Sequence, residues 1–176
     1  GKVNVIHVDY GYTFQIDNPY HVAYGASAES DGNIYIWGGT NLNGEFQNKT
    51  YKFDTFTYEW TQLADYPDSL SSMEGVADGG YIYSFGGYGG SENDVSNEIY
   101  RYNIEQDFWE FMGHTDIPVS SHSVAKDSET NNIVITGGYN ELTYSAVYDI
   151  GSNEYHRIEN YDFIGRRHSG SLFLNE

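Results

Sequence analysis

The side chains in this sequence able to do chemistry are its carboxylates, its histidines and one pair of adjacent arginines. Close carboxylates, such as Glu92 with Asp94, Glu105 with Asp107 and Asp127 with Glu129, suit proton transfer or calcium ligation. With 26 Asp and Glu in 176 residues such pairs arise readily. No twelve-residue calcium loop surrounds them, so solvated turns are the better reading, with Glu92-Asn93-Asp94 a place for adventitious calcium only. The six histidines are dispersed, without the HExxH spacing or close cluster that would hold zinc, so no metal is expected. The absence of cysteine removes disulfides, thiolate metal sites and thiol nucleophiles.

Arg166-Arg167 is the only adjacent basic pair, and against a formal charge of −18 it is the candidate for receiving a partner's carboxylate. The competing reading is an ion pair with a nearby acid such as Asp162. Asn48-Lys49-Thr50 is the one N-glycosylation sequon, and its Asn48 falls between two apolar runs where a loop is expected. Few lysines beside many Tyr, Asn, Gly and Ser favour an extracellular setting over a cytoplasmic one. The three diglycines, Gly38-Gly39, Gly86-Gly87 and Gly137-Gly138, sit in neither a GxGxxG nor a GxxxxGK[ST] pattern, so no phosphate-bearing cofactor is expected.

The elements that must position these residues are strands. Twenty glycines, 18 tyrosines, nine phenylalanines and only three prolines favour short strands joined by tight turns. An excess of negative charge repels a phosphate backbone, which argues against nucleic acid. No apolar run approaches the ~20 residues needed to cross a bilayer, so no membrane insertion is expected.

Three registers recur along the chain. Each diglycine ends a β-rich run: Ile34-Tyr35-Ile36-Trp37, Tyr81-Ile82-Tyr83-Ser84-Phe85 and Ile133-Val134-Ile135-Thr136, at spacings of 48 and 51 residues. Downstream, an alternating pair is followed seven residues later by an aromatic: Tyr51, Phe53 and Trp60; Tyr100, Tyr102 and Trp109; Ala146, Tyr148 and Tyr155. Period-two alternation marks a half-buried strand, and the polar gap marks a turn. Upstream, small residues begin each unit at Gly25-Ala26-Ser27, Glu74-Gly75-Val76, His122-Ser123-Val124 and His168-Ser169-Gly170, at spacings of 49, 48 and 46. They suit a crowded inner strand. His122 and His168 thereby share a repeat position, which favours structural hydrogen bonding.

This pattern resembles the kelch repeat: a small-residue inner strand, a hydrophobic strand ending in Gly-Gly, a loop, a strand with Tyr and an outer strand with Trp. The resemblance covers almost the whole chain. It implies an all-β, kelch-type β-propeller segment in which each repeat is a four-stranded blade. The expected domain is one partial propeller over 1–176, with blades at 21–66, 69–115 and 119–162 and partial blades at 3–17 and 164–176. The diglycines and Trp60, Trp109 and Tyr155 then read as packing elements between blades.

The chain starts at Gly1 without a signal-type apolar region, which reads as a processed protein or an excerpt. The pieces at its ends do not tile a ring, so further blades or neighbouring subunits are expected to cover its open faces. The function this favours is a non-catalytic protein-binding or structural scaffold. Candidate contacts are Arg166, Arg167, Glu92 and Asp94, with the loops Thr40–Thr50 and Tyr88–Ile99 as recognition segments. The alternative is a carbohydrate-active or sugar-binding propeller. Copper-radical sugar oxidases on similar scaffolds use a Tyr cross-linked to Cys, and sialidases carry a Ser-x-Asp-x-Gly-x-Thr-Trp box. Neither feature is present here.

Overall fold

In a computed structural model, which describes residues 2–9, 11–158 and 165–167, every regular element is a strand. The hairpin of β1 (Lys2–His7) and β2 (Tyr12–Asp17) comes first. Three antiparallel four-stranded sheets follow, each in simple sequence order. The first contains β3 (Ala26–Ser30), β4 (Asn33–Trp37), β5 (Thr50–Asp54) and β6 (Trp60–Leu63). The second contains β7 (Glu74–Asp78), β8 (Tyr81–Tyr88), β9 (Val95–Asn103) and β10 (Phe108–His114). The third contains β11 (Ser123–Lys126), β12 (Asn132–Thr136), β13 (Ser145–Asp149) and β14 (Glu154–Arg157). These sheets are blades of the kelch propeller type, and the fold is all-β.

The core lies between blades because each strand alternates its side chains between two neighbours. Along β8, Ile82 packs with Tyr35 and Trp37 of the first blade, whereas Tyr83 and Phe85 pack with Ile133, Ile135 and Tyr148 of the third. Trp37 is fully buried, and its indole N–H donates across the joint to Ser84 Oγ at 2.9 Å. Gly75 makes room for it, since a Cβ there would fall 2.5 Å from the indole. Burial of one such side chain contributes roughly 1.5–3 kcal/mol, enough to make the joints the main source of stability.

The aromatic register is set by cross-strand pairing. Phe53 faces Trp60, Tyr102 faces Trp109, and Tyr148 faces Tyr155, each across the third and fourth strands of its blade. Trp109 reaches back to the first blade, 5.7 Å from Trp37 and 4.8 Å from Tyr66, and its N–H donates to Thr50 Oγ1 at 3.2 Å. Trp60 instead stacks on Phe53 of its own blade at 4.8 Å. The deepest indole is therefore Trp37, which precedes a diglycine.

Two expectations are corrected. The inner-strand register of the second blade begins at Met73 rather than Glu74, because Ala26, Glu74 and Ser123 face Trp37, Phe85 and Thr136, the residues just before the diglycines. A one-residue slip moves a side chain to the opposite sheet face. Glu74 therefore shares its face with Phe85, which packs against Tyr148 of the third blade. The second recognition loop is also shorter than Tyr88–Ile99, since β8 runs through Gly86-Gly87 to Tyr88 and β9 resumes at Val95. His168, Asp162 and most of 164–176 lie outside the described residues.

Candidate binding site

At one end of the blades, the loops after each diglycine meet the loops that lead into the inner strands. The diglycine makes this joint possible. All six glycines have positive φ, from 59° at Gly86 to 131° at Gly87, a region that is costly for residues with a Cβ. A Cβ on Gly38, Gly86 or Gly137 would collide with the carbonyl oxygen of Leu70, Val119 or Arg166, each from the segment leading into the next unit. The following glycine donates its N–H to that same oxygen: Gly39 to Leu70 at 2.8 Å, Gly87 to Val119 at 2.9 Å and Gly138 to Arg166 at 2.9 Å. Gly-Gly is thus a repeated backbone clasp between successive units.

A second repeated feature was not anticipated from the sequence. Tyr24, Ser72 and Ser121 adopt left-handed φ values of 57°, 55° and 54°. Such backbone costs about 1–3 kcal/mol per non-glycine residue and persists where its surroundings hold it. Here they are linked in series: Ser72 N–H donates to Tyr24 O at 2.8 Å, and Ser121 N–H donates to Ser72 O at 2.9 Å. The three form an arc from blade to blade. Their spacing of 48 and 49 residues is close to the repeat period that marks the diglycines, and the recurrence of Ser71-Ser72 at Ser120-Ser121 is the one trace of the arc in the sequence, which the first unit breaks with Ala23-Tyr24.

This arc floors a cavity of about 860 Å3. The residues just after the diglycines, Thr40, Tyr88 and Tyr139, line it, and each is backbone-paired with the residue before a left-handed position: Ala23, Ser71 and Ser120. Phe46 crosses from the first blade's loop to Tyr88 in the second at 5.9 Å. The lining is aromatic and hydroxylated, with Glu92 its one charged residue among those described. Beside the cavity, and sharing Val95 with it, is a hollow of about 370 Å3 containing Asp68, Asp94 and Glu98.

The residues singled out from sequence are distributed around this end. Glu92 lines the cavity and Asp94 the neighbouring hollow, so the structure assigns them to different recesses. Arg167 stacks over Tyr139 at 5.0 Å, at the edge of the cavity. Arg166 is exposed in its side chain but held by its backbone, as acceptor from Gly138 and donor to Leu142 O at 2.8 Å. Asn48 is half-buried, and its carbonyl accepts from Tyr66 N–H at 2.7 Å. Tyr155 donates to Asp116 Oδ1 at 3.1 Å, a carboxylate that also accepts from Tyr144 and Arg157. Among the described residues no three His, Asp or Glu side chains gather in a way that could hold a metal ion.

Two groups near this end, the half-buried Glu74 and the fully buried His122, have displaced proton affinities. Burial pushes the Glu74 carboxyl up to about 7, because the charged form is disfavoured away from water. Burial likewise pushes His122 down to about 3, holding the imidazole neutral, and neither ring nitrogen has a hydrogen-bond partner among the described residues.

The clasp, the blade order and the aromatic register coincide with one known pattern. A family model described as the KLHDC2/KLHL20/DRC7 Kelch-repeats domain matches residues 15–175. The chain belongs to the kelch-repeat family. A kelch repeat-containing protein of Dictyostelium discoideum is 26% identical over 146 residues, covering 69% of this chain and 22% of the relative. Kelch-like protein 15 of Homo sapiens is 31% identical over 109 residues, covering 60% of this chain and 17% of the relative. N-acetylneuraminate epimerase of Vibrio cholerae is 30% identical over 145 residues, covering 78% of this kelch chain and 37% of that enzyme. The chain spans less than half the length of each of these relatives.

Proposed function

We propose that this kelch segment is a non-catalytic protein-binding scaffold that presents its diglycine-end cavity to a partner. The observation carrying this reading is the division of labour at that end. Backbone clasps hold the loops, which leaves side chains such as Tyr24, Tyr139 and Glu92 exposed on a fixed frame. Rigid loops with unengaged aromatic and polar side chains are the usual apparatus of recognition. Similarity to Kelch-like protein 15 supports the same reading. Arg167 beside Tyr139 and Glu92 within the cavity are the contact residues it assigns, with Arg166 and Asp94 at the margins.

The carbohydrate-active alternative is favoured by the similarity to N-acetylneuraminate epimerase, and a cavity of tyrosines and hydroxyls would suit a sugar. One experiment separates the two. A random heptapeptide display library is selected on the intact protein, and binders are re-measured on Tyr139→Ala and on Phe56→Ala, the latter an exposed residue in the turn between β5 and β6 at the opposite end. N-acetylneuraminate turnover is followed in parallel by NMR. Binders lost with Tyr139→Ala and kept with Phe56→Ala, without sugar turnover, are expected. Turnover of the sugar, or no cavity-dependent peptide, would overturn the scaffold reading.

A further inference from the structure

Resting on that reading, we propose that the cavity takes a basic segment of its protein partner, placing a lysine or arginine side chain among the tyrosines beside Glu92. The first argument is charge. The chain carries −18, and five of its eight Lys and Arg are already engaged: Lys2 with Asp17, Lys49 with Asp65, Arg101 with Glu110, Lys126 with Asp78, and Arg157 with Asp116 and Glu141. The remaining acids give a field that draws cations toward the surface and raises their encounter rate.

The second argument is local. Glu92 is exposed in the cavity and makes no hydrogen bond or ion pair with any described residue. The same cavity is lined by Tyr24, Tyr88 and Tyr139, aromatic rings whose faces attract cations through their quadrupoles. The structure already contains an instance of this attraction, since the Arg167 guanidinium lies 5.0 Å from the centre of the Tyr139 ring. A guanidinium or ammonium brought by a partner would find the same kind of surface on Tyr24, which is 67% exposed.

The third argument is the adjoining hollow. Asp68, Asp94 and Glu98 line it without a basic side chain among its lining residues, and it meets the cavity at Val95. A peptide whose first cation occupies the aromatic cavity would carry a second into this acidic recess. Two linked sites of this kind select for basic segments, because a cation would meet Glu92 in one recess and Asp68, Asp94 and Glu98 in the other, with Arg167 confined to the cavity edge over Tyr139.

The test uses the heptapeptides selected on the intact protein. The cavity-dependent binders are expected to contain at least one Lys or Arg and to carry net positive charge. For a fluorescein-labelled binder, Kd by anisotropy should weaken about five- to tenfold with Glu92→Gln or Tyr139→Ala, and should recover with Glu92→Asp. Replacing the peptide's Lys or Arg by Gln should weaken it similarly, and raised salt should weaken it further. Each variant is first checked for an unchanged, cooperative melt. Acidic or neutral binders that still require Tyr139 would overturn the basic partner while leaving the scaffold reading intact. Basic peptides indifferent to both Glu92→Gln and Tyr139→Ala would show diffuse attraction to the charged surface and would also overturn it. A failure to recover any cavity-dependent peptide would overturn both readings.

Discussion

Two glycines with almost the same φ allow the inter-blade clasp to be measured separately from glycine's tolerance of a left-handed backbone. Gly79 has φ 57° and nothing within 4 Å of an added Cβ, whereas Gly86 has φ 59° and its added Cβ would run into the Val119 carbonyl and lie 2.6 Å from Val119 Cγ2. Gly79→Ala should therefore cost only the left-handed penalty, about 1 kcal/mol after the unfolded chain's lost freedom is deducted. Gly86→Ala carries that same cost and must also push Val119 away from Gly87, stretching their 2.9 Å hydrogen bond. Leaving a buried backbone pair unsatisfied costs about 1–3 kcal/mol, so a total of roughly 2–4 kcal/mol is expected. Urea titration of both variants, with m held against the parent, reads the difference directly. Equal losses for Gly79→Ala and Gly86→Ala would refute the clasp as an energetic joint and leave the diglycine as a turn preference alone.

Trp109→Ala should destabilise by ~3–5 kcal/mol, because it empties the space among Trp37, Tyr66 and Tyr102; a loss under about 1 kcal/mol in the same titration would contradict that packing. Glu74 has a raised folded-state value, so its favourable contribution is complete below its ordinary range and is lost as pH rises through about 7. Glu74→Gln should consequently gain on the parent above pH 7, by up to roughly 2–3 kcal/mol, and the gain should vanish below about pH 4 in melts across that range. His122 has the opposite sign: its value is lowered, so stability is present above its ordinary range and is lost as pH falls from about 6.5 toward about 3. Replacement by the residue at the equivalent position of the second blade, His122→Met, should flatten that acid limb, and an unchanged acid limb would exclude His122 as its source.

The repeat period, the strand-rich composition, the pairing of Phe53 with Trp60 and of Tyr102 with Trp109, and the place of the diglycines were all legible in the sequence. They are local or periodic quantities: alternation follows from the pleat, and a recurring Gly-Gly reports a backbone demand repeated in every unit. Even the misplaced inner strand could have been corrected by counting, since Ala26 and Glu74 each lie twelve residues before the first glycine of their pair. Residue size pointed instead to the Gly75 neighbourhood, where the small side chain serves Trp37 of the previous blade. Only the tertiary structure decided that Trp37 outranks Trp60 in burial, that Glu92 and Asp94 part into separate recesses, and that Arg167 meets Tyr139. It alone brought Tyr24, Ser72 and Ser121 into one hydrogen-bonded arc. Those relations join residues from different blades through backbone groups that every residue possesses. Side-chain identity records the arc only in the recurring Ser-Ser of the second and third units, and the contacts themselves exist only once the blades have packed.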